Sequence, residues 1–261
     1  MSPPDADRDL LRSAIEAACE LALRHFEAPR GHWHKAPGQV VTEADLEVDA
    51  LLHDRLLGAR PGYGWLSEER PDDGSRRRAE RIWMVDPIDG TRAFVEGKPE
   101  FTISVALLED GRPRLAAIAN PVTGERFEAA GGGAARLNGA PCRVTGRTAL
   151  AGARLLSSRG EIRERRWREL MPEAEIQTMG SLAYKLALVA AGRFDGFVSL
   201  RRTYDWDVAA AVLLLERAGG VLSDARNAPL RLNGEEIRHQ GLIAAATPEL
   251  HAALRSRIGP G

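Results

Sequence analysis

The chain has 261 residues, of which 44% are hydrophobic and 28% charged, and its formal net charge at pH 7 is −1. This length and composition are typical of a soluble globular protein with one large domain or two modest ones. The near-neutral charge argues against a nucleic-acid polymer or an anionic membrane as partner, and the chain lacks both a run of transmembrane length and a signal-peptide pattern.

The N-terminal segment predicts two helices with a loop between them. Apolar side chains recur at helical spacing from about residue 7 to 28, and residues 28–39 are rich in Pro, Gly and His, which predicts a loop. Thr42 is a suitable N-cap for the second helix, which runs to Gly58. Asp45, three residues after Thr42, completes a capping-box-like pair, so this pattern alone favours a structural role for Asp45.

Two strands then end in carboxylates. Residues 63–69 predict a strand that ends in Glu68 and Glu69, and adjacent strand side chains point to opposite faces, so only one of the two can face a given site. Residues 82–85 predict a buried strand that leads directly into Asp86, where open α/β sheets place their ligands.

The run Asp86-Pro87-Ile88-Asp89-Gly90-Thr91 follows that strand. Pro87 stiffens the turn, and Gly90 lets the backbone approach a ligand closely. Two carboxylates three residues apart supply hard oxygen ligands that suit Mg²⁺, and Thr91 adds a hydroxyl and an N–H for a phosphate oxygen. The run therefore predicts a magnesium and phosphate site.

The remaining pattern divides the chain near residue 150. Closely spaced strands and turns from residue 100 to 139 predict an antiparallel sheet, with Asn138-Gly139 as a hairpin signal. Strands and helices alternate after residue 150, including a predicted helix over 161–170. We therefore expect an α+β half over residues 1–150 and an α/β half over residues 151–261.

A last acidic pair opens a predicted helix over residues 205–218. Acids in a first helical turn are favoured by the helix dipole without any function, so Asp205 is readily explained as an N-cap. Asp207 lies two residues later and is followed by small residues, which allow a helix to pack closely against a sheet.

Together these motifs resemble the inositol monophosphatase superfamily of Mg²⁺-dependent, often lithium-sensitive phosphomonoesterases. The similarity rests on Thr42-x-x-Asp45, Glu68-Glu69, the run 86–91 and Trp206-Asp207, which occur here in the order of the family. It implies a layered αβαβα sandwich of the sugar-phosphatase type, with α+β and α/β character, and a centre of two or three Mg²⁺ ions.

The resemblance also implies roles for individual residues. Glu68, Asp86 and the Ile88 carbonyl hold the first ion, and Asp86, Asp89 and Asp207 hold the second. Asp45, Thr91 and Glu68 act in catalysis by positioning and activating the attacking water. The implied substrate contacts are Asp89, Gly90, Thr91, Ser181, Lys185, Arg201 and Asp207.

Within the superfamily, the sequence is most like the 3'(2'),5'-bisphosphate nucleotidases of the CysQ type, which remove the 3'-phosphate from adenosine 3',5'-bisphosphate. Arg92 after the Gly-Thr, Glu100-Phe101-Thr102 and Lys185 match that branch. Lys185 with Arg201 or Arg202 would supply cations for a second phosphate.

Other features keep alternative substrates open. The spacing over Gly180–Lys185 is closer to that of the inositol phosphatases, although Ser199 and Leu200 lie where those enzymes carry a glutamate for ring hydroxyls. Inositol 1-phosphate, histidinol phosphate and sugar phosphates therefore remain alternatives, as does a metal-dependent binding or scaffold protein without turnover.

The sequence further predicts a cytoplasmic protein with a small-molecule phosphate ester as its partner, and it is compatible with a homodimer. Cys19 and Cys142 fit free thiols in a reducing compartment, and a single disulfide between them is the alternative. Neither cysteine lies in a motif.

Overall fold

The computed structural model describes residues 5–28, 31–36, 39–164 and 167–258. Its helices are α1 (Asp5–Glu27), α2 (Glu43–Ala59), α3 (Thr91–Val95), α4 (Arg159–Glu164), α5 (Trp167–Leu170), α6 (Leu182–Ala190), α7 (Asp205–Ala218) and α8 (Pro248–Ile258), with a 3-10 turn at Ser75–Arg78. Its strands are β1 (His32–Ala36), β2 (Gln39–Thr42), β3 (Gly64–Ser67), β4 (Arg81–Asp89), β5 (Thr102–Glu109), β6 (Arg112–Asn120), β7 (Glu125–Ala130), β8 (Arg136–Leu137), β9 (Ala140–Pro141), β10 (Arg154–Ser157), β11 (Glu175–Thr178), β12 (Gly196–Tyr204), β13 (Val221–Ser223) and β14 (Arg238–Ala245).

Two large sheets organise the chain. The first has seven strands in the order β3-β4-β5-β6-β7-β8-β9, with β3 parallel to β4 and every later pair antiparallel. The second has five strands in the order β11-β10-β12-β14-β13, with β11, β10 and β12 parallel to one another. The antiparallel sheet of the N-terminal half and the α/β pattern after residue 150 are therefore confirmed.

Helices cover both sheets and separate them. Helices α1 and α2 pack on one face of the seven-stranded sheet, where Ile15, Leu52 and Val105 belong to one buried cluster. Helices α6 and α7 lie between the two sheets, in a cluster that includes Met84 of β4 and Phe197 of β12. Trp167 of α5 and the apolar side of α8 cover the outer face of the five-stranded sheet. The predicted layered αβαβα sandwich is confirmed.

The first helix forms because its buried positions repeat every three or four residues. Leu11, Ala14, Ile15, Ala18 and Ala22 face the sheet, and the small alanines allow a close approach. The second helix begins as predicted, with Thr42 and Asp45 forming a complete capping box. Both predicted helices are confirmed within about two residues of their expected ends.

Two local predictions were wrong. Residues 28–39 were expected to form a loop, but β1 and β2 form an antiparallel hairpin there; residues 29–30 and 37–38 lie outside the described part of the chain. The predicted helix over 161–170 is instead two short helices, α4 and α5, with residues 165–166 outside the described part. In the hairpin, main-chain pairing forms although the sequence lacks an apolar alternation.

The chain passes from the first sheet to the second between Pro141 of β9 and Arg154 of β10. A domain division at residue 150 falls within this connection and stays a prediction. Cys19 and Cys142 are free thiols in the structure. Among the described residues, no helix combines the length and the apolar composition needed to span a lipid bilayer.

Candidate metal centre

Strand β4 contains two buried acids, Asp86 and Asp89. The strand was expected to end at Asp86, but it runs on to Asp89, and its pairing with β5 is irregular between these two residues. Asp86 is 1% exposed and Asp89 8%. The irregularity changes the alternation of side chains, which brings both carboxylates to one region of the strand end.

Three carboxylates converge at this point. Glu68 follows β3, Asp86 belongs to β4 and Asp207 lies in the first turn of α7, and one oxygen from each lies within 4.8 Å of the others. The buried Oδ1 of Asp86 has no hydrogen-bond partner among the described residues. Three neighbouring carboxylates, one of which has a buried oxygen without a hydrogen-bond partner, are hard oxygen donors that fit a divalent cation such as Mg²⁺.

The electrostatics of the cluster also favour a bound cation. Burial raises the pKa of Asp86 well above that of an ordinary aspartate, and the neighbouring carboxylates of Glu68 and Asp89 raise it further. Burial and the charge of Asp89 likewise raise the pKa of Asp207. A cation would remove the cost of holding these negative charges together in the interior.

Asp89 is oriented by the start of α6. Its Oδ2 accepts hydrogen bonds from the Ser181 hydroxyl and the Ala183 N–H, each at 2.5 Å. Ser181 is held by the Thr102 hydroxyl at 3.0 Å. These donors fix the orientation of the Asp89 carboxylate beside the cluster.

A second group of polar side chains joins α2 to the turn after β4. Asp45 Oδ2 accepts hydrogen bonds from the N–H and the hydroxyl of Thr42, at 2.8 and 2.6 Å. The Thr91 hydroxyl lies 3.0 Å from Asp45 Oδ1 and 3.0 Å from the Ile88 carbonyl, and its single proton serves one acceptor at a time. The capping role of Asp45 and its contact with Thr91 therefore coexist.

The structure places the residues predicted to contact substrate in different surroundings. Gly90 adopts a φ of +98° at the start of α3, and Ser181 is buried against Asp89. Lys185 is 4% exposed and its ammonium group donates to the carbonyls of Met179 and Gly180, at 3.1 and 3.4 Å. Arg201 is on the surface, where it pairs with Glu164 at 3.2 Å. Their contacts with substrate stay predictions.

Sequence reasoning missed two buried acids near the centre. Glu161, from α4, accepts hydrogen bonds from the Ser199 hydroxyl at 2.5 Å and the Leu200 N–H at 2.6 Å. Asp205 was expected to be the N-cap of α7, but Tyr204 occupies that position. The Asp205 carboxylate instead accepts hydrogen bonds from His239 and from the Asn233 N–H. Their partners lie 28 to 39 residues away, and no local pattern indicates such contacts.

An αβαβα sandwich that brings acidic residues from two strand ends and one helix start to a buried point defines a class of metal-dependent phosphatases. Comparison with known proteins agrees. Residues 6–259 match the family model described as "Inositol monophosphatase family". The chain belongs to this family and is a phosphoric monoester hydrolase by class, in a family that depends on Mg²⁺.

Individual relatives match over most of their length. An "Inositol-1-monophosphatase" of Rhizobium meliloti is 38% identical over 232 residues, which cover 86% of this chain and 84% of the relative. A "Nus factor SuhB" of Pseudomonas aeruginosa is 34% identical, with coverages of 84% and 83%. The solved structure of the "extragenic suppressor protein suhB" from Bartonella henselae superposes with a TM-score of 0.86 at 28% identity, covering 98% of this chain and 99% of that one.

Proposed function

We propose that this protein hydrolyses the phosphate monoester of a small polyol, with inositol 1-phosphate as the first candidate, in a reaction that requires Mg²⁺. The proposal rests on the convergence of Glu68, Asp86 and Asp207, since Oδ1 of Asp86 is buried without a hydrogen-bond partner. The hydrogen-bonded pair of Asp45 and Thr91 also supports it. The Rhizobium meliloti relative, named "Inositol-1-monophosphatase", supports the choice of substrate.

The resemblance to the family assigns two or three Mg²⁺ ions to this site. Glu68, Asp86 and the Ile88 carbonyl would form one ligand set, and Asp86, Asp89 and Asp207 would form the second. The approach of Glu68, Asp86 and Asp207 oxygens to within 4.8 Å of one another supports this assignment. Bound Mg²⁺ supplies charge neutralisation on the phosphate and a lowered pKa for water.

The protein groups then position the reactants. Asp45 holds the Thr91 hydroxyl so that this hydroxyl and Glu68 orient a water molecule for in-line attack on phosphorus. The N–H groups of Gly90 and Thr91 at the start of α3 hold the phosphate oxygens. The water oxygen forms a bond to phosphorus and gives up a proton, and the bond from phosphorus to the ester oxygen breaks. The leaving oxygen takes up a proton from solvent, and inorganic phosphate and the alcohol are released.

A bisphosphate nucleotide is the second candidate. Burial lowers the pKa of Lys185, and the charge of Arg201 lowers it further, so these two residues would supply the cations for this substrate. This pair of cations favours a substrate with a second phosphate. In contrast, Glu100, Phe101 and Thr102, which resemble the nucleotidase branch, have structural partners: Glu100 binds the Gly180 N–H, Phe101 is buried, and Thr102 contacts Ser181.

Phosphate release with Mg²⁺ tests the proposal. Inositol 1-phosphate, adenosine 3',5'-bisphosphate, histidinol phosphate and fructose 1,6-bisphosphate are compared, each with and without lithium. A dominant rate on inositol 1-phosphate supports the first candidate, and a dominant rate on the adenosine bisphosphate replaces it with the second. Release from none of them, with Mg²⁺ bound, favours a binding protein without turnover.

The variant Asp89→Asn tests the metal centre itself. Because Asp89 is buried among the other acids, we expect loss of Mg²⁺-dependent hydrolysis by at least about 100-fold with an intact fold by circular dichroism. Asp54→Asn, which changes an aspartate whose side chain is 83% exposed, is the matched control. Equal activity of Asp89→Asn and the wild type would remove Asp89 from the ligand set.

A further inference from the structure

A cavity of about 400 Å³ lies between α1 and β7, away from the metal centre. Its floor includes Leu115, which pairs with Leu107 of β5, and Leu107 in turn pairs with Trp83 of β4. The cavity is therefore two strands away from β4 and level with a residue three positions before Asp86. None of its lining residues belongs to the metal centre, and we call it the α1–β7 cavity.

The cavity is open because small residues line one side. Its floor is apolar and includes Leu11 of α1 and Ala129 and Ala130 of β7. Beyond β7 the wall is the turn Gly132-Gly133-Ala134, and a side chain at Gly133 would meet nothing within 4 Å. The volume is within the range of small-molecule sites, which usually combine an apolar lining with a few polar groups.

The rim of the α1–β7 cavity is basic. Arg8, Arg12 and Arg136 line it with only one acid, Glu128, which gives a formal local charge of +2. Glu128 is shared between Arg12 at 3.5 Å and Arg126 at 3.6 Å. Arg136 donates to the Gly139 carbonyl at 2.6 Å, and within the described ranges it forms no ion pair with a carboxylate.

The first turn of α1 is fixed in place by a neighbouring residue. Asp7 is fully buried and accepts hydrogen bonds from Arg60 at 2.7 Å and from the Tyr63 hydroxyl at 2.9 Å. This anchor holds the backbone next to Arg8 without using the cavity. Arg8 and Arg12 of the basic rim therefore belong to an ordered helix, which lowers the entropy cost of binding.

We propose that the α1–β7 cavity binds a small amphipathic organic anion, in which an apolar body of roughly four to eight carbon atoms carries a single carboxylate, sulfonate or phosphate group. The apolar body lies on Leu11, Leu115 and Ala129. The anionic group binds the guanidinium of Arg136 and competes with Glu128 for Arg12. An uncharged apolar molecule would form no ion pair with Arg136 or Arg12, and a small inorganic anion would form no apolar contact with the floor.

The test uses 1-hexanesulfonate, which a phosphatase cannot hydrolyse, with the full-length protein in EDTA so that the metal centre does not attract anions. We expect amide chemical shifts to change at Arg8–Arg12 and Gly131–Ala134, with a dissociation constant at least about tenfold lower than that of 1-hexanol or methanesulfonate. Equal binding of methanesulfonate would overturn the role of the apolar floor. Shifts at other residues only would overturn the site.

Charge variants sharpen the test. Arg136→Gln should weaken 1-hexanesulfonate binding about tenfold, since a charged hydrogen bond is lost, whereas Glu128→Gln should strengthen it because Arg12 is released. Arg226→Gln removes the same charge from an exposed position outside the lining and should change nothing. If Arg136→Gln and Arg226→Gln bind equally well, the proposal fails. Shifts at the same residues that depend on protein concentration, without added sulfonate, would assign the cavity to a second copy of the chain and overturn the small-molecule site.

Discussion

Gly90 lies at a close contact between backbone segments in the candidate site. Its φ is +98°, and a Cβ there would lie 2.8 Å from the Glu100 carbonyl oxygen and 2.9 Å from the Ser181 nitrogen. Both neighbours are backbone atoms, so neither can move away cheaply. We expect Gly90→Ala to lower the free energy of unfolding by about 3 kcal/mol in urea titrations, as the sum of backbone strain and steric overlap.

Gly124 provides the matched control for that substitution. Its φ of +69° is also left-handed, but a Cβ there would meet nothing within 4 Å. Gly124→Ala should therefore cost only the conformational strain, about 1 kcal/mol. If the two variants lose equal stability, the close contact between Gly90 and the Ser181 backbone does not contribute to the cost of the substitution.

Lys185 carries a charge into the protein interior, and its effect on stability should depend on pH. Burial lowers the pKa of Lys185 to about 8, whereas an unfolded lysine titrates near about 10.4. Between these values the unfolded chain binds more protons, so the contribution of this residue becomes more favourable as pH rises. Relative to Lys185→Met, the wild type should gain about 2 kcal/mol of stability between pH 7 and pH 10.

The measurement is urea unfolding of both proteins at several pH values in this range. The comparison with Lys185→Met cancels other groups that titrate there, such as Cys19, whose pKa burial raises to about 12. Lys98→Met, at a partly exposed lysine beside Glu96, is a control that should leave the pH dependence unchanged. Parallel curves for the wild type and Lys185→Met would contradict a lowered Lys185 pKa.

Among the elements, α7 packs on the seven-stranded sheet through apolar side chains, and one buried acid adds a polar link to the N-terminal half. Asp205 accepts hydrogen bonds from His239 at 2.7 Å and the Asn233 N–H at 2.6 Å, and Asn233 in turn accepts one from the buried Arg76. Asp205→Ala leaves these donors unpaired in the interior. We expect a loss of about 3 kcal/mol in unfolding free energy and weaker Mg²⁺ binding, because Asp207 lies in the same helical turn.

Asp224→Ala separates this effect from the loss of any aspartate. Asp224 accepts hydrogen bonds from the N–H groups of Arg226 and Ala228 in an exposed turn, where water replaces them. It should cost about 1 kcal/mol or less and leave Mg²⁺ binding unchanged in calorimetric titration. A similar loss of unfolding free energy in both variants would mean that the hydrogen bond from Asn233 to Asp205 does not contribute more than an exposed one.

The elements also show why some features were predictable from sequence and others were not. In the sequence, Asp86 comes directly after an apolar run and Asp207 lies in the first turn of a predicted helix. These local signals place both residues near the ends of elements. Residues 32–36 are His, Trp, His, Lys and Ala, so β1 has no apolar alternation, and only its pairing with β2 reveals it. Glu161 was missed because its bond to Ser199 depends on how α4 packs on β12, which sequence spacing does not encode.

For the molecule as a whole, the candidate metal centre brings several carboxylates close together where the two halves of the chain meet. Glu68, Asp86 and Asp89 come from the first sheet and its turns, and Asp207 comes from the helix between the sheets. Burial and mutual repulsion raise the pKa of Asp86 and of Asp207. In the metal-free protein the native state therefore binds more protons than the unfolded state above about pH 3.9, and stability falls as pH rises through the raised pKa values.

Mg²⁺ should reverse this trend, because it binds the deprotonated carboxylates of the native state and competes with protons for them. At pH 8 we expect Mg²⁺ at about 100 times its dissociation constant to add about 3 kcal/mol of stability, and at pH 5 distinctly less. Thermal and urea unfolding with and without EDTA measure the increment, with NaCl at equal ionic strength as the control for screening. Asp86→Asn should abolish the increment, since Asp86 belongs to both of the proposed ligand sets. An equal increment in that variant, or one that NaCl reproduces, would mean that Mg²⁺ acts on surface charge and not at this centre.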